Sequence, residues 1–479
     1  MRKTILLAVT TAILAACGTQ PTPRTQAPDL TTLNGSPAVA GEILVKYKGG
    51  VTLSSLQPLR GSQQVSAFGD SHWGQLARVQ VPKGQELSFA EAYSHQAGVE
   101  YAEPNYWVES PREEVQAVSL PKTSAPRLQA LPSPITDKYF VEVPAGDPFA
   151  TTSVGPAAPA TPVIYSNVPY LWGIHRTRAP QAWAAGYTGQ GVTVAVIDEG
   201  VDLTHEDLAA NIWTNPDPTN PSCPGQHGYD FVDDDADPSD TGGHGTHVAG
   251  TIAAAANGKG VVGQAPEAKI AAVRALGYFG GSNYMLVRAL KYAADCGFKV
   301  ANNSWGSGAK SKAFYDVISY GTQKGTVYVF SAGNSFREGN RLSWPVGYSP
   351  VIPGLIGVGA TSANNLRAGF SDAGDYVTVA APGQGILSTI PTVQNPGDPY
   401  AYLQGTSMAA PQVSGVVALL FSAKPNLTPL QVRVALEQSA NAVLTGQLAK
   451  PDYRTQNAGW YGYGLVDAKA ALDYVLANY

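Results

Sequence analysis

The chain has 479 residues, 44% of them hydrophobic, which is enough for a substantial core and two or three folded units and excludes disorder throughout. Charged residues make up only 14%, while 51 glycines and 36 prolines suit a loop-rich globular protein. A formal net charge of -5 without any basic block leaves no electrostatic footprint for nucleic acid.

Residues 1–17 read as an export signal: Arg2 and Lys3 precede an apolar run over 5–16 that is too short to span a membrane. The run closes on Leu14-Ala15-Ala16-Cys17-Gly18, which resembles a bacterial lipobox, where Cys17 would carry lipid, tether the chain to a membrane and become the new N-terminus. Cleavage at an ordinary small-residue site near Ala15 and Ala16 is the other reading. Residues 18–41 are rich in Thr, Pro, Gln and Ser and read as a flexible tether.

The first fold is expected over 42–109. Residues 42–47 are strand-like, 76–81 alternate, 87–97 have helical spacing with Phe89, Ala90 and Tyr93, and a further strand fits 99–106. This β, β, α, β pattern makes a small α+β module. Residues 110–168, crowded with Pro, Ala, Thr and Ser, mark a linker and processing region. Over 169–479, apolar runs at 192–197, 270–273, 300–301 and 327–330 alternate with helical segments, as buried parallel strands with crossover helices do. The expected fold is an open α/β sheet, whose functional groups gather at the carboxyl ends of its strands. Cys223 and Cys296 are free to pair in an oxidising setting, or to serve as a buried hydrophobe and a loop thiol; the sequence leaves that open.

Asp198 directly ends the run at 192–197; alone, it reads equally as a capping or turn residue. His244 sits in Gly242-Gly243-His244-Gly245-Thr246-His247-Val248-Ala249-Gly250, a glycine-rich approach to a small-residue helix. His244 and His247 lack the intervening Glu of a zinc-protease helix and a third ligand, so His247 reads as structural. Ser407 lies in Gly405-Thr406-Ser407-Met408-Ala409-Ala410-Pro411. Pro411 is tolerable only in a first helical turn, which puts Ser407 at a helix N-terminus. A serine there is an N-cap or, where the helix amides favour an oxyanion, a nucleophile.

Val-Ile-Asp-Glu-Gly at 196–200, His-Gly-Thr-His-Val-Ala-Gly-Thr at 244–251 and Gly-Thr-Ser-Met-Ala-Ala-Pro at 405–411, in that order, resemble the three signature blocks of the subtilisin family. The resemblance covers about residues 170–479. It implies a mainly parallel sheet flanked by helices, preceded by a small α+β pro-domain, and a secreted, monomeric serine endopeptidase acting through an acyl-enzyme. Ser407 would attack, His244 would be general base and acid, and Asp198 would orient the imidazole. Asn334, in Ser331-Ala332-Gly333-Asn334, would supply a side-chain amide to the oxyanion. Extended substrate would pair with Leu276-Gly277-Tyr278 and Ser304-Trp305-Gly306, with Ala332, Gly333 and Ser343 near an uncharged, roomy pocket. That pocket gives no reason to expect strict cleavage after Lys or Arg.

The resemblance also implies structural calcium, held by side-chain oxygens of Asp207 and Asn257 and the carbonyls of Ala255, Lys259 and Val261, with Lys259 a slightly unfavourable neighbour. The acidic cluster Asp233, Asp234, Asp235, Asp237 and Asp240 reads as a solvated loop in preference to a second ion site. The module at 42–109 resembles an inhibitory pro-domain with 101–106 as its exit strand; it would mask the enzyme until cut away. Two positions depart from the family. Glu199 stands where a small hydroxyl residue is usual and would shift the pH optimum through His244. Gln412 stands where a His is common. The alternatives are a non-catalytic surface-binding protein on a degenerate fold, and an esterase, whose Gly-x-Ser-x-Gly turn is missing around Ser407.

Overall fold

The computed structural model describes residues 27–51, 58–111, 116–117, 171–240, 242–441 and 460–479. The expected signal segment with Cys17 and nearly all of the linker at 110–168 lie outside the described residues.

The first unit is an antiparallel sheet with one helix. Its strands are β1 (Leu30–Leu33), β2 (Ser36–Tyr47), β3 (Gln63–Asp70), β4 (Gly74–Gln80) and β5 (Val99–Val108), in the order β5-β2-β4-β3 with β1 on β2. Helix α1 (Glu86–Ser94) lays Ala90 and Tyr93 on Ile43, Val45, Ala77 and Val79. Strand β1 and the start of β2 fall in the stretch expected to be a tether. The reason is Asn34-Gly35: with φ of 52° and 79° it forms a two-residue turn whose twist suits a hairpin, and it pairs Leu33 with Ser36. Strand β3, also absent from the sequence expectation, has little apolar alternation and is held by pairing with β4.

Beyond β6 (Gln116–Ala117), α2 (Trp172–Arg176) and α3 (Ala179–Ala184) lead into a seven-stranded parallel sheet. It contains β7 (Thr193–Asp198), β8 (Gly228–Asp230), β9 (Lys269–Arg274), β11 (Val300–Asn303), β12 (Val327–Ser331), β13 (Leu355–Thr361) and β14 (Val379–Pro382), ordered β14-β13-β12-β11-β7-β9-β8. These strands read as unbroken apolar runs because both faces are covered. Val194 and Val196 of β7 enter a core with helices α4 (His244–Ala253) and α7 (Thr406–Ala423). Ala195 and Ile197 enter the opposite core with α5 (Asn283–Asp295) and α6 (Lys312–Gln323). Connections from β7 and β11 run to opposite sides of the sheet, which opens a crevice at their carboxyl ends.

Strand β10 (Gly281–Ser282) precedes α5 and pairs antiparallel with β5, so the first unit's sheet continues onto the second. A hairpin of β15 (Ile386–Thr389) and β16 (Tyr400–Leu403) also receives β6. Helices α8 (Pro429–Ser439) and α9 (Ala468–Asn478) close the chain. Helix α7 is long and apolar enough to cross a membrane, but 89% of its span is buried in the fold and it serves as the core helix. Cys223 and Cys296 are joined as a disulfide with Cα atoms 5.1 Å apart.

Candidate active site

Asp198 ends β7 and is wholly buried; His244 opens α4, and its Nδ1 lies 2.8 Å from Asp198 Oδ1. Glycine makes that approach possible: a Cβ on Gly245 would collide with the Gly200 carbonyl and press on Asp198 Cβ. The loop before His244 is fixed by Asp240, whose carboxylate accepts from the amides of Gly242 at 2.8 Å, Gly243 at 2.7 Å and Thr246 at 3.0 Å. Asp240 is thus not part of a solvated acidic loop; it caps the histidine helix. Of its acidic neighbours, Asp233 pairs with Arg274, at 2.6 Å, and Asp234 with Arg288, at 2.7 Å.

Ser407 is the second residue of α7, and Pro411 lies well inside the helix, beyond the first turn to which the sequence reading confined it. A proline there cannot donate to the carbonyl four residues back, which is that of Ser407. The Ser304 hydroxyl takes up that orphaned carbonyl at 2.8 Å, and the Ser407 hydroxyl donates to the Ser304 carbonyl at 3.2 Å. Behind Ser304, Asn302 donates to its hydroxyl at 3.0 Å and accepts from Ser414 at 2.7 Å, a buried network at the end of β11.

Asn334 follows β12, and its Oδ1 accepts from the Thr406 amide and hydroxyl, each at 2.9 Å. These bonds fix which end of the side chain accepts, so Nδ2 is the end left to donate. Gly333 donates to Thr406 Oγ1 at 3.1 Å with φ 111°, a conformation suited to glycine. A Cβ on Gly306 would collide with Ser343 Oγ, and one on Gly333 with a carboxylate oxygen of Asp372. Gly306 and Gly333 therefore both lie against Ser343. Ala332 is buried, and Trp305 gives only backbone, since its ring is in the core with Nε1 3.0 Å from the Ile197 carbonyl. Asp372 is an acidic neighbour that sequence reasoning missed: it is buried behind Gly333, its carboxyl pushed up by burial and held by Ser335 at 3.0 Å.

Gly277 lies at the other rim, where the Ser110 hydroxyl donates to its carbonyl at 2.6 Å. Glu199 is 4% exposed; burial pushes its carboxyl up to about 7, and the charges of Asp198 and Asp240 add to this, against His244 and a bond from Ser110. Gln412 is buried and bonded to Gln264. His247 is engaged at Nε2 by the carbonyls of Ile386 at 3.0 Å and Ala401 at 3.2 Å. Burial lowers its pKa to about 3, as fits a neutral ring anchoring the β15–β16 hairpin.

Asp207 is fully buried, and its carboxylate accepts from Asn257 Nδ2 at 2.9 Å, the Val261 amide at 2.9 Å and the Tyr400 hydroxyl at 3.0 Å. Lys259 Nζ pairs with Glu206 at 3.1 Å, and the Ala255 amide donates to the Asp207 carbonyl at 2.7 Å. Among the described residues no three His, Cys, Asp or Glu side chains cluster as metal ligands. The residue types around Asp207 can offer a calcium shell of side-chain and carbonyl oxygens. The donors now facing the carboxylate suit a bare anion, and the Asn257 amide would have to present Oδ1 to a cation.

The subtilase family profile matches residues 189–464, and that of the fervidolysin N-terminal prodomain matches residues 25–105. The chain belongs to the subtilase family. It is a serine-type endopeptidase with an N-terminal prodomain, on a subtilisin-like fold. Over 301 residues, 63% of this chain, it is 39% identical to M-protease of Shouchella clausii (strain KSM-K16) and to Subtilisin Savinase of Lederbergia lenta, covering 69% and 97% of those proteins. The crystal structure of fervidolysin from Fervidobacterium pennivorans, a keratinolytic enzyme related to subtilisin, is similar with TM-score 0.68 and 28% identity. That likeness covers 93% of this chain, and this chain spans 62% of fervidolysin.

Proposed function

We propose that Asp198, His244 and Ser407 act as the catalytic triad of an exported endopeptidase made as a self-processed zymogen. The observation that carries the reading is the buried 2.8 Å contact between His244 Nδ1 and Asp198 Oδ1, with Ser407 at the start of the neighbouring core helix. With Nδ1 so engaged, Nε2 is the nitrogen that serves the hydroxyl. Ser407 turns from the Ser304 carbonyl, gives its proton to His244 Nε2, and its oxygen bonds to the peptide carbonyl carbon. The displaced electron pair rests on the carbonyl oxygen, stabilised by Asn334 Nδ2 and amides at the start of α7. Collapse breaks the C–N bond, and His244 returns the proton to the leaving amine. Water then loses a proton to His244 while attacking the acyl carbon, and Ser407 recovers its proton as the acid leaves. Gly277, Ser304, Trp305 and Gly306 would hold the substrate backbone, and Ala332, Gly333 and Ser343 its pocketed side chain.

The prodomain, whose folded part we place at 42–109 together with the β1–β2 hairpin, is read as the enzyme's own inhibitor and first substrate. Strand β5 pairs with β10 just before α5, and β6 pairs with β16, which ends four residues before Ser407. The first cut is accordingly proposed between Ser110 and Gln116, within the expected processing region. Export follows from the signal-like residues 1–17, with Cys17 as the lipid anchor of the unprocessed chain, and the mature enzyme is read as a monomer. A structural calcium ion is retained for Asp207, Asn257, Ala255, Lys259 and Val261; it would add stability and takes no part in the steps above. The reading is tested by expressing the wild type and Ser407→Ala. The wild type is expected to trim itself and digest casein, and the variant to do neither; equal casein digestion by both would refute it.

A further inference from the structure

We propose that the outer edge of strand β16 is a docking strand for polypeptide substrate on the amine side of the cut, engaged several residues beyond the bond that breaks. The inference rests on the protease reading above and adds a binding surface to it. In the uncut chain that edge holds the protein's own β6: Gln116 pairs with Tyr402 and Ala117 with Ala401, antiparallel. With the first cut placed between Ser110 and Gln116, β6 belongs to the leaving piece, while β5 on β10 belongs to the acyl piece. The two pairings mark where each half of a long substrate can lie.

Backbone direction fixes which residue of β16 meets the incoming chain. The Ile390 amide donates to the Pro399 carbonyl at 2.8 Å, so by alternation Ser388 with Ala401 and Ile386 with Leu403 are also hydrogen-bonded pairs of the hairpin. The N–H and C=O of Tyr402 then point outward, to β6. Such an edge pairs with any extended segment, since main-chain bonds make no demand on side chains. The hairpin is also braced in place. The Ser388 and Thr389 hydroxyls donate to the carbonyls of His247 and Thr246 at 2.8 and 2.7 Å, the Thr392 amide to Asp202 at 2.9 Å, and Gln394 Nε2 to the Gly242 carbonyl at 3.0 Å. A strand received there is held to α4, the helix that opens with His244. Tyr402 lies five residues before Ser407. At about 3.4 Å per residue, an antiparallel substrate reaches it roughly four to six residues past the cut. A peptide that ends sooner forgoes the contact, and a protein chain does not.

The processed wild type and Tyr402→Pro, which lacks the outward amide, are given peptides that share one cut sequence and carry either three or eight residues past it, and kcat/KM is measured. The wild type is expected to favour the longer peptide by about tenfold, the worth of one or two net backbone hydrogen bonds. In Tyr402→Pro the long-to-short ratio falls to near one. N-methylation of the fourth to sixth residues past the cut brings the long peptide down to the short one in the wild type, and this arm decides should the variant fail to mature. Equal kcat/KM for the two lengths in the wild type, or a preference that survives either change, overturns the proposal and leaves the protease reading standing. A wild type that cleaves neither peptide nor casein overturns that reading and the proposal with it.

Discussion

Ser304 and Ser407 exchange hydrogen bonds, hydroxyl to carbonyl in both directions, at 2.8 and 3.2 Å. The first bond replaces the helix bond that Pro411 cannot make, so the backbone at Ser407 is tied to the end of β11 instead of to its own helix. Ser304→Ala leaves the Ser407 carbonyl buried without that partner. We expect a stability loss of about 1–3 kcal/mol in denaturant melts. A roughly tenfold fall in kcat with little change in KM should accompany it, because the nucleophile is less well held. An unchanged kcat would show that the bond does not position Ser407.

The prodomain grips the catalytic unit through helix ends. Glu103 accepts from the Ser311 hydroxyl at 2.6 Å and the Lys312 amide at 2.8 Å, capping α6 from outside, and Asn105 accepts from the Tyr284 amide at 3.0 Å at the start of α5. Glu103→Ala removes a charged cap, and inhibition of the processed enzyme by added prodomain should weaken about tenfold. Equal inhibition constants for the two prodomains would contradict this.

Glu199 makes the docked zymogen sensitive to pH. Burial above all, with the charges of Asp198 and Asp240, raises its carboxyl from 4.5 to about 7 against the opposing effect of His244. A group raised on folding contributes stability that is complete below 4.5 and lost as pH rises through about 7. In the uncut Ser407→Ala chain, the melting temperature should therefore fall between pH 5 and 8 relative to the same chain also carrying Glu199→Gln. Parallel curves for the two chains would contradict the assignment.

Calcium is tested by stability and not by activity. If Asp207 and its loop bind the ion, chelation lowers the melting temperature, and calcium at ~100 times its dissociation constant restores about 2.7 kcal/mol. Asp207→Asn should lower stability by itself and abolish the response to calcium. A wild-type melt indifferent to both chelator and ion would leave Asp207 as a buried carboxylate satisfied by Asn257, Val261 and Tyr400.

The parallel sheet was legible because its core strands are apolar on both faces, and the sequence blocks around Asp198, His244 and Ser407 lie at the end of β7 and the starts of α4 and α7. The Asn34-Gly35 hairpin was legible too, but composition around it suggested a tether. Other features could not be read from residue type. Asp372 behind Gly333 and Glu103 on α6 depend on groups far apart in sequence meeting in space, whereas the Asp240 cap is local and was hidden by the acidic run in which it lies. The place of Pro411 was misjudged because its cost was reckoned within the helix alone, whereas Ser304 supplies the compensation from another element.

The central claim is that Ser407 is a nucleophile activated by His244. The most direct measurement is labelling of the processed enzyme with a serine-reactive phosphonofluoridate, followed by peptide mass mapping. We expect one adduct per chain, on Ser407, absent from Ser407→Ala and from urea-unfolded protein, and strongly slowed in His244→Ala. Labelling elsewhere, or at the same rate without His244, would contradict the account.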